Sequence, residues 1–166
     1  IGASAGGLEA FTRLLAALPS GTGLAFVFIE HQSLTEKSAL TEILARATGM
    51  AVREIDGHGR APGSRLRVAT PDGPRHLPRH PDPYPVPGKP GTSYTDRLLP
   101  DLPGAGSGDK AIGVLLSGTG TDGSAGRKEI KARGGTTIVQ EPGSASFGGM
   151  PSQAIAADAV DRLLSL

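Results

Sequence analysis

The amino-acid sequence predicts an α/β domain: a doubly wound, mainly parallel sheet with helices on both faces and a small antiparallel edge hairpin. Three observations carry this. Apolar runs of strand length (LAFVFIE, KAIGVLLSG, TTIVQE) alternate with stretches of helical periodicity. LAFVFIE is nearly unbroken in apolar residues, as a strand covered on both faces must be, and KAIGVLLSG is of the same buried type. The loops between them are mostly short, so successive strands are joined by crossover helices.

A first strand ends near Ile1 or Gly2. LEAFTRLLAALP follows, with Leu8, Phe11, Leu14, Leu15 and Leu18 at helical spacing, and Pro19 and Gly21 end it. The run from Leu24 to Ile29 reads as a strand buried on both faces. SLTEKSALTEILARATG is an amphipathic helix with Ser33 or Thr35 as candidate cap and Gly49 as stop. MAVREI is a short strand, and SRLRVAT with His76-Leu77 supplies the expected hairpin or edge strands. From about 70 to 108 the chain carries many of its 14 prolines, whose fixed φ and missing N–H donors exclude regular structure; SYTDRLLPDL is at most a short helix. KAIGVLLSG is a buried strand ending at the glycine-rich loop GTGTDGSAG. The helix RKEIKARGG, the strand TTIVQE, the loop EPGSASFGGMP and a closing helix SQAIAADAVDRLLSL complete the chain.

At 166 residues this reads as one domain, 1–166, with the apolar ending of a strand at its first residues suggesting a piece of a longer chain. A net charge of +1 and 4% aromatics give no footprint for nucleic acid or an anionic membrane. The absence of cysteine excludes disulfides, thiolate metal sites and cysteine nucleophiles, and fits a cytoplasmic location. No apolar run approaches the roughly 18 residues of a membrane span. His58, His76 and His80 sit in glycine- and proline-rich segments without metal spacing, so neither a metal nor a cofactor is expected.

Parallel sheets place their sites beyond the carboxyl ends of the strands. Three polar residues follow three such ends: Ser4 after the first strand, His31 after LAFVFIE, and Asp122 in the loop after AIGVLLSG. They are a hydroxyl, a base and an orienting carboxylate, the parts of an activated serine. GASAG around Ser4 fits the G-x-S-x-G elbow, and the N–H groups opening the next helix would face an oxyanion. Each residue also has a plainer reading: Ser4 as a helix cap, His31 as a loop histidine, Asp122 as a turn or cap residue.

A dinucleotide site is the rival. Gly118-Thr119-Gly120-Thr121-Asp122-Gly123 spells G-x-G-x-x-G between a strand and a helix, and Glu141 ends the following strand. Against it, Ser4 replaces the central glycine in the opening loop, and Asp122 would set a carboxylate against phosphate. The order Ser, His, Asp also departs from the α/β-hydrolase order, and no histidine follows Asp122.

GASAGGLEA, EHQS, AIGVLLSGTGTDGSAGRKEIKARGG, VQEP and GGMPSQAI together resemble the catalytic domain of the chemotaxis protein-glutamate methylesterase (CheB) family, most closely the methylesterase-like domains of hybrids that also carry a methyltransferase domain. The resemblance runs nearly end to end and is weak only through the proline-rich middle. It implies a doubly wound sheet, hydrolysis of glutamyl methyl esters on chemoreceptor helices, and deamidation of glutamines. Carried over by motif, Ser4 is the nucleophile, His31 the base and Asp122 the orienting acid. Ala5, Thr119, Gly120 and Met150 fall at oxyanion or substrate-positioning places. Thr119 stands where the family often has methionine, Ala5 where threonine is frequent, and Glu30 adds a negative charge beside the base. A response-regulator or methyltransferase domain in the parent chain is also implied. An interaction module with a weak triad is the non-enzyme alternative. Met150 itself reads equally as an adaptable substrate wall or a core methionine.

Overall fold

The computed structural model describes residues 1–30, 39–54, 65–69, 108–120, 123–157 and 160–166. His31, Asp122, the proline-rich segment and the three remaining histidines lie outside them. Among the described residues seven parallel strands form one sheet: β1 (Gly2–Ala3), β2 (Ala25–Glu30), β3 (Ala51–Glu54), β4 (Arg65–Ala69), β5 (Ile112–Leu115), β6 (Thr136–Gln140) and β7 (Arg162–Leu164). Their order is β3-β4-β2-β1-β5-β6-β7. Four helices accompany them: α1 (Gly7–Ala17), α2 (Leu40–Ala47), α3 (Ser124–Ala132) and α4 (Gly149–Ala156).

The helices cover both faces, as expected. Leu115 and Leu116 are consecutive, so their side chains leave the sheet on opposite sides. Leu116 packs with Phe11, Leu15, Phe28, Leu40 and Leu44 in the core under α1 and α2. Leu115 packs with Val139, Met150 and Ala154 in the core under α4. Phe11 and Phe28 stack with centroids 3.9 Å apart and planes 9° from parallel, which seats α1 on β2. Arg127 of α3 is buried and donates from Nη1 to Ala154 O at 3.3 Å, joining α3 to α4.

Three expectations need correction. The stretch containing Arg65–Ala69 is not an arm of an antiparallel edge hairpin: β4 pairs parallel with both β2 and β3 and lies inside the sheet. The proposed second arm, His76-Leu77, lies outside the described residues. The closing helix is shorter than its periodicity suggests. It stops at Ala156, and Arg162–Leu164 pairs parallel with β6 as the edge strand β7. Asp161 makes that change of course: its N–H donates to Thr137 O at 2.9 Å, and its carboxylate accepts from Thr137 N at 2.8 Å and Thr137 Oγ1 at 2.9 Å. Finally, β2 is buried only in its second half, where Phe28 and Ile29 lie; Ala25 is exposed. The sheet's carboxyl end is the covered end there.

Candidate active site

The chain leaves β1 in one direction along the sheet and β5 in the other. From β1 it passes through α1 to β2, and from β5 through α3 to β6. Neighbouring strands whose connections diverge leave a crevice at their carboxyl ends, where α/β sheets hold their sites. Here the switch point falls between β1 and β5, at the strand ends that lead into the Ser4 loop and to Gly118.

The register brings the three predicted strand ends together. Gly2 is paired with Ile29 and with Leu115, and Ala3 is paired with Glu30. Ser4 follows Ala3, position 31 follows Glu30, and the loop containing position 122 follows β5, so the three connections leave from adjacent strands. His31 and Asp122 themselves lie outside the described residues.

Ser4 is half-buried at the turn between β1 and α1. Its plainer reading as a cap does not hold: the N-cap of α1 is Gly6, in the left-handed region at φ 71°, and no side chain caps this helix. Among the described residues the Ser4 hydroxyl has no hydrogen-bond partner. The Ser4 backbone, by contrast, is held at both ends. Its N–H donates to Ser117 O at 3.0 Å, and its carbonyl accepts from Gly7 N at 2.8 Å. A side chain fixed at its root and uncommitted at its tip is available for chemistry.

What holds this loop was not anticipated from the sequence. Ser117, fully buried just beyond β5, donates from Oγ to Ala5 O at 2.8 Å and accepts from Phe147 N at 3.0 Å. Its own N–H donates to Gln140 Oε1 at 2.9 Å, and Gln140 Nε2 donates to Ser144 O at 3.1 Å. Buried polar groups must be paired, and these satisfy one another across β5, β6 and two loops. The sequence signals only that Ser117 and Gln140 are each a polar residue closing an apolar run; that the two runs are neighbours comes from the sheet order.

Met150 is buried in the core, yet it is not remote from Ser4. A Cβ built on Gly118 would lie 2.4 Å from Met150 Cε and 3.1 Å from Ser4 Cβ. Met150 therefore backs the Gly118 turn, and its N–H donates to Gly118 O at 2.9 Å. Gly118 is needed for this close packing, which gives the first glycine of the G-x-G-x-x-G stretch a purpose other than approach to a phosphate. Thr119 and Gly120 are exposed beyond it, Gly120 with φ 89°. Ala5 is half-buried beside Ser4. Glu30 Oε1 lies 3.3 Å from where a Cβ on Gly7 would sit, so the carboxylate meets the positive end of α1. Among the described residues no cluster of His, Asp or Glu could hold a metal ion.

Comparison with known proteins bears on this arrangement. The family model for the CheB methylesterase matches residues 1–166. The chain belongs to the CheB methylesterase family. It is 38% identical over its whole length to a protein-glutamate methylesterase/protein-glutamine glutaminase of Anaeromyxobacter dehalogenans, of which it covers 50%. A putative protein of the same description from Leptospira interrogans is 31% identical, with all of this chain and 87% of that protein covered. The CheB methylesterase catalytic domain of Thermotoga maritima, a crystal structure, shares the fold: TM-score 0.79 at 24% identity, covering 99% of this chain and 89% of that one. The chain spans about half the length of the first-matched relatives. The mostly parallel α/β sheet with helices is thus the CheB catalytic fold.

Proposed function

We propose that this chain is a serine carboxylesterase that hydrolyses glutamyl methyl esters on chemoreceptor-type helical signalling proteins, and deamidates glutamines by the same route. The observation that carries the reading is the hydroxyl of Ser4: uncommitted among the described residues, no helix cap, and rooted at the strand end beside the sheet's switch point. Membership of the CheB methylesterase family, and relatives named as methylesterase/glutaminase proteins, point to the same chemistry.

In this mechanism Ser4 Oγ attacks the ester carbonyl carbon and its proton passes to a ring nitrogen of His31. Asp122 orients that ring and stabilises the imidazolium. The backbone N–H of Ala5, with an N–H from the Thr119–Gly120 stretch, binds the oxyanion. The C–OCH₃ bond breaks, and the leaving oxygen takes the proton from His31 to depart as methanol. Water then adds to the acyl-serine and gives a proton to His31, which returns it to Ser4 Oγ as the glutamate carboxylate leaves. With glutamine as substrate, ammonia takes the place of methanol. The setting is cytoplasmic, alongside further domains of the parent chain. Among the described residues no helix is long and apolar enough to cross a membrane.

The test is methanol release from a receptor segment carrying radiolabelled glutamyl methyl esters. Wild type should release methanol, Ser4→Ala and His31→Ala should not, and Asp122→Asn should be slower by up to roughly 10⁴-fold, as in other triads. Folded wild type that releases no methanol, or Ser4→Ala that still does, would contradict the reading.

A further inference from the structure

We propose that Ser117 is a positioning residue for this reaction: its hydroxyl grips the Ala5 carbonyl and thereby aims the Ala5 N–H at the oxyanion. The inference rests on the serine-esterase reading above.

Ala5 lies between two peptide planes. The Ser4–Ala5 plane is held by Gly7 N, which donates to Ser4 O at 2.8 Å. The Ala5–Gly6 plane is held by Ser117 Oγ, which donates to Ala5 O at 2.8 Å. With both planes fixed, φ and ψ of Ala5 are fixed. Because the peptide is trans, the Ala5 N–H points opposite to the Ser4 carbonyl, away from the amide of Gly7. Among the described residues that N–H has no acceptor. A donor held in place and kept unpaired is what an oxyanion requires, since no reorganisation is then needed as charge develops.

Ser117 is suited to the task because it cannot turn elsewhere. Its side chain is fully buried, its hydroxyl also accepts from Phe147 N at 3.0 Å, and its backbone is fixed by Gln140 on one side and Ser4 on the other. Gly6 leaves just enough room: a Cβ there would stand 2.7 Å from Ser117 Oγ. One hydroxyl therefore joins the nucleophile loop to the loop carrying Phe147.

The test uses the full chain with p-nitrophenyl acetate as substrate, and compares Ser117→Ala, Ser117→Cys and Ser117→Thr. Cysteine nearly conserves volume but is a weak donor, and threonine keeps the hydroxyl. Losing an oxyanion donor outright costs about 10²–10³ in kcat, so misaiming one should cost roughly 10- to 100-fold. The expected result is that fall in kcat for the alanine and cysteine variants, with KM within about two-fold. The pH profile of kcat/KM should keep its inflection, because the base is untouched, and threonine should recover most of the rate. A folded alanine or cysteine variant with undiminished kcat would overturn the inference, as would a folded threonine variant no faster than alanine. Should alanine not fold, the cysteine variant decides. Labelling of wild-type Ser4 by a fluorophosphonate separates the two levels. If wild type is labelled and the Ser117 variants turn over normally, only this inference fails; if wild type is unlabelled, the esterase reading fails and this goes with it.

Discussion

At the scale of single residues, the Ser4 loop depends on groups that cannot be exchanged for near neighbours. Gly6 sits at φ 71°, where a Cβ would meet Ser117 Oγ at 2.7 Å and Ser146 Cβ at 3.0 Å. The left-handed conformation alone costs an L-residue about 1–2 kcal/mol, and the contact with Ser117 adds to it. Gly6→Ala should therefore lower the urea midpoint and slow esterase turnover together; an unchanged midpoint would mean the loop has room that its geometry denies. Gln140 tests the other end of the network. In Gln140→Leu the buried Ser117 N–H loses its acceptor, which should cost roughly 1–3 kcal/mol in urea unfolding. A loss near zero would show that another acceptor takes its place. The place of Ser4 at a strand-to-helix turn was legible in the sequence because GASAG fits the G-x-S-x-G elbow between a strand end and a helical run. Ser117 and Gln140 were not, because a buried hydrogen bond between strands depends on which strands are neighbours, and local pattern does not carry strand order.

Among elements, the edge strand β7 shows where periodicity misleads. Over Arg162–Leu164 three residues cannot distinguish a period of two from one of 3.6, and the preceding alanines favour helix. Tertiary pairing decides it: Asp161 bonds Thr137 on β6 and forms an ion pair with Lys131 of α3. The hydrogen bond from Lys131, then those from Thr137, lower the Asp161 pKa from 3.8 to about 2. A depressed carboxylate pKa means that its contribution is complete above 3.8, and is lost as pH falls through that value towards about 2. Asp161→Asn should thus be less stable than wild type at neutral pH, and the difference should shrink in acid through that window. Urea midpoints measured across it check this. A difference that stays constant would show that charge on Asp161 does not hold β7. The position of β4 was hidden for a related reason. Its alternation of arginine with apolar residues suits an edge, yet β3 and β2 flank it on both sides.

At the scale of the whole molecule, the sequence foretold the parallel sheet covered on both faces, because long apolar runs separated by amphipathic helices leave little other choice. It also directed attention to the carboxyl ends of the strands, where such sheets hold their sites, but not to which strands are neighbours there. The order β2-β1-β5 then makes neighbours of the strands preceding Ser4, His31 and the loop of Asp122. The central claim is that this topology makes Ser4 an activated nucleophile. Its most direct measurement is reaction of the intact chain with a fluorophosphonate, followed by mass spectrometry of the peptides. The phosphonyl group forms a stable bond to an activated serine, whatever the natural substrate. The account predicts one adduct, on Ser4, absent from Ser4→Ala and nearly absent from His31→Ala. An adduct on another serine, or none on the folded protein, would contradict it.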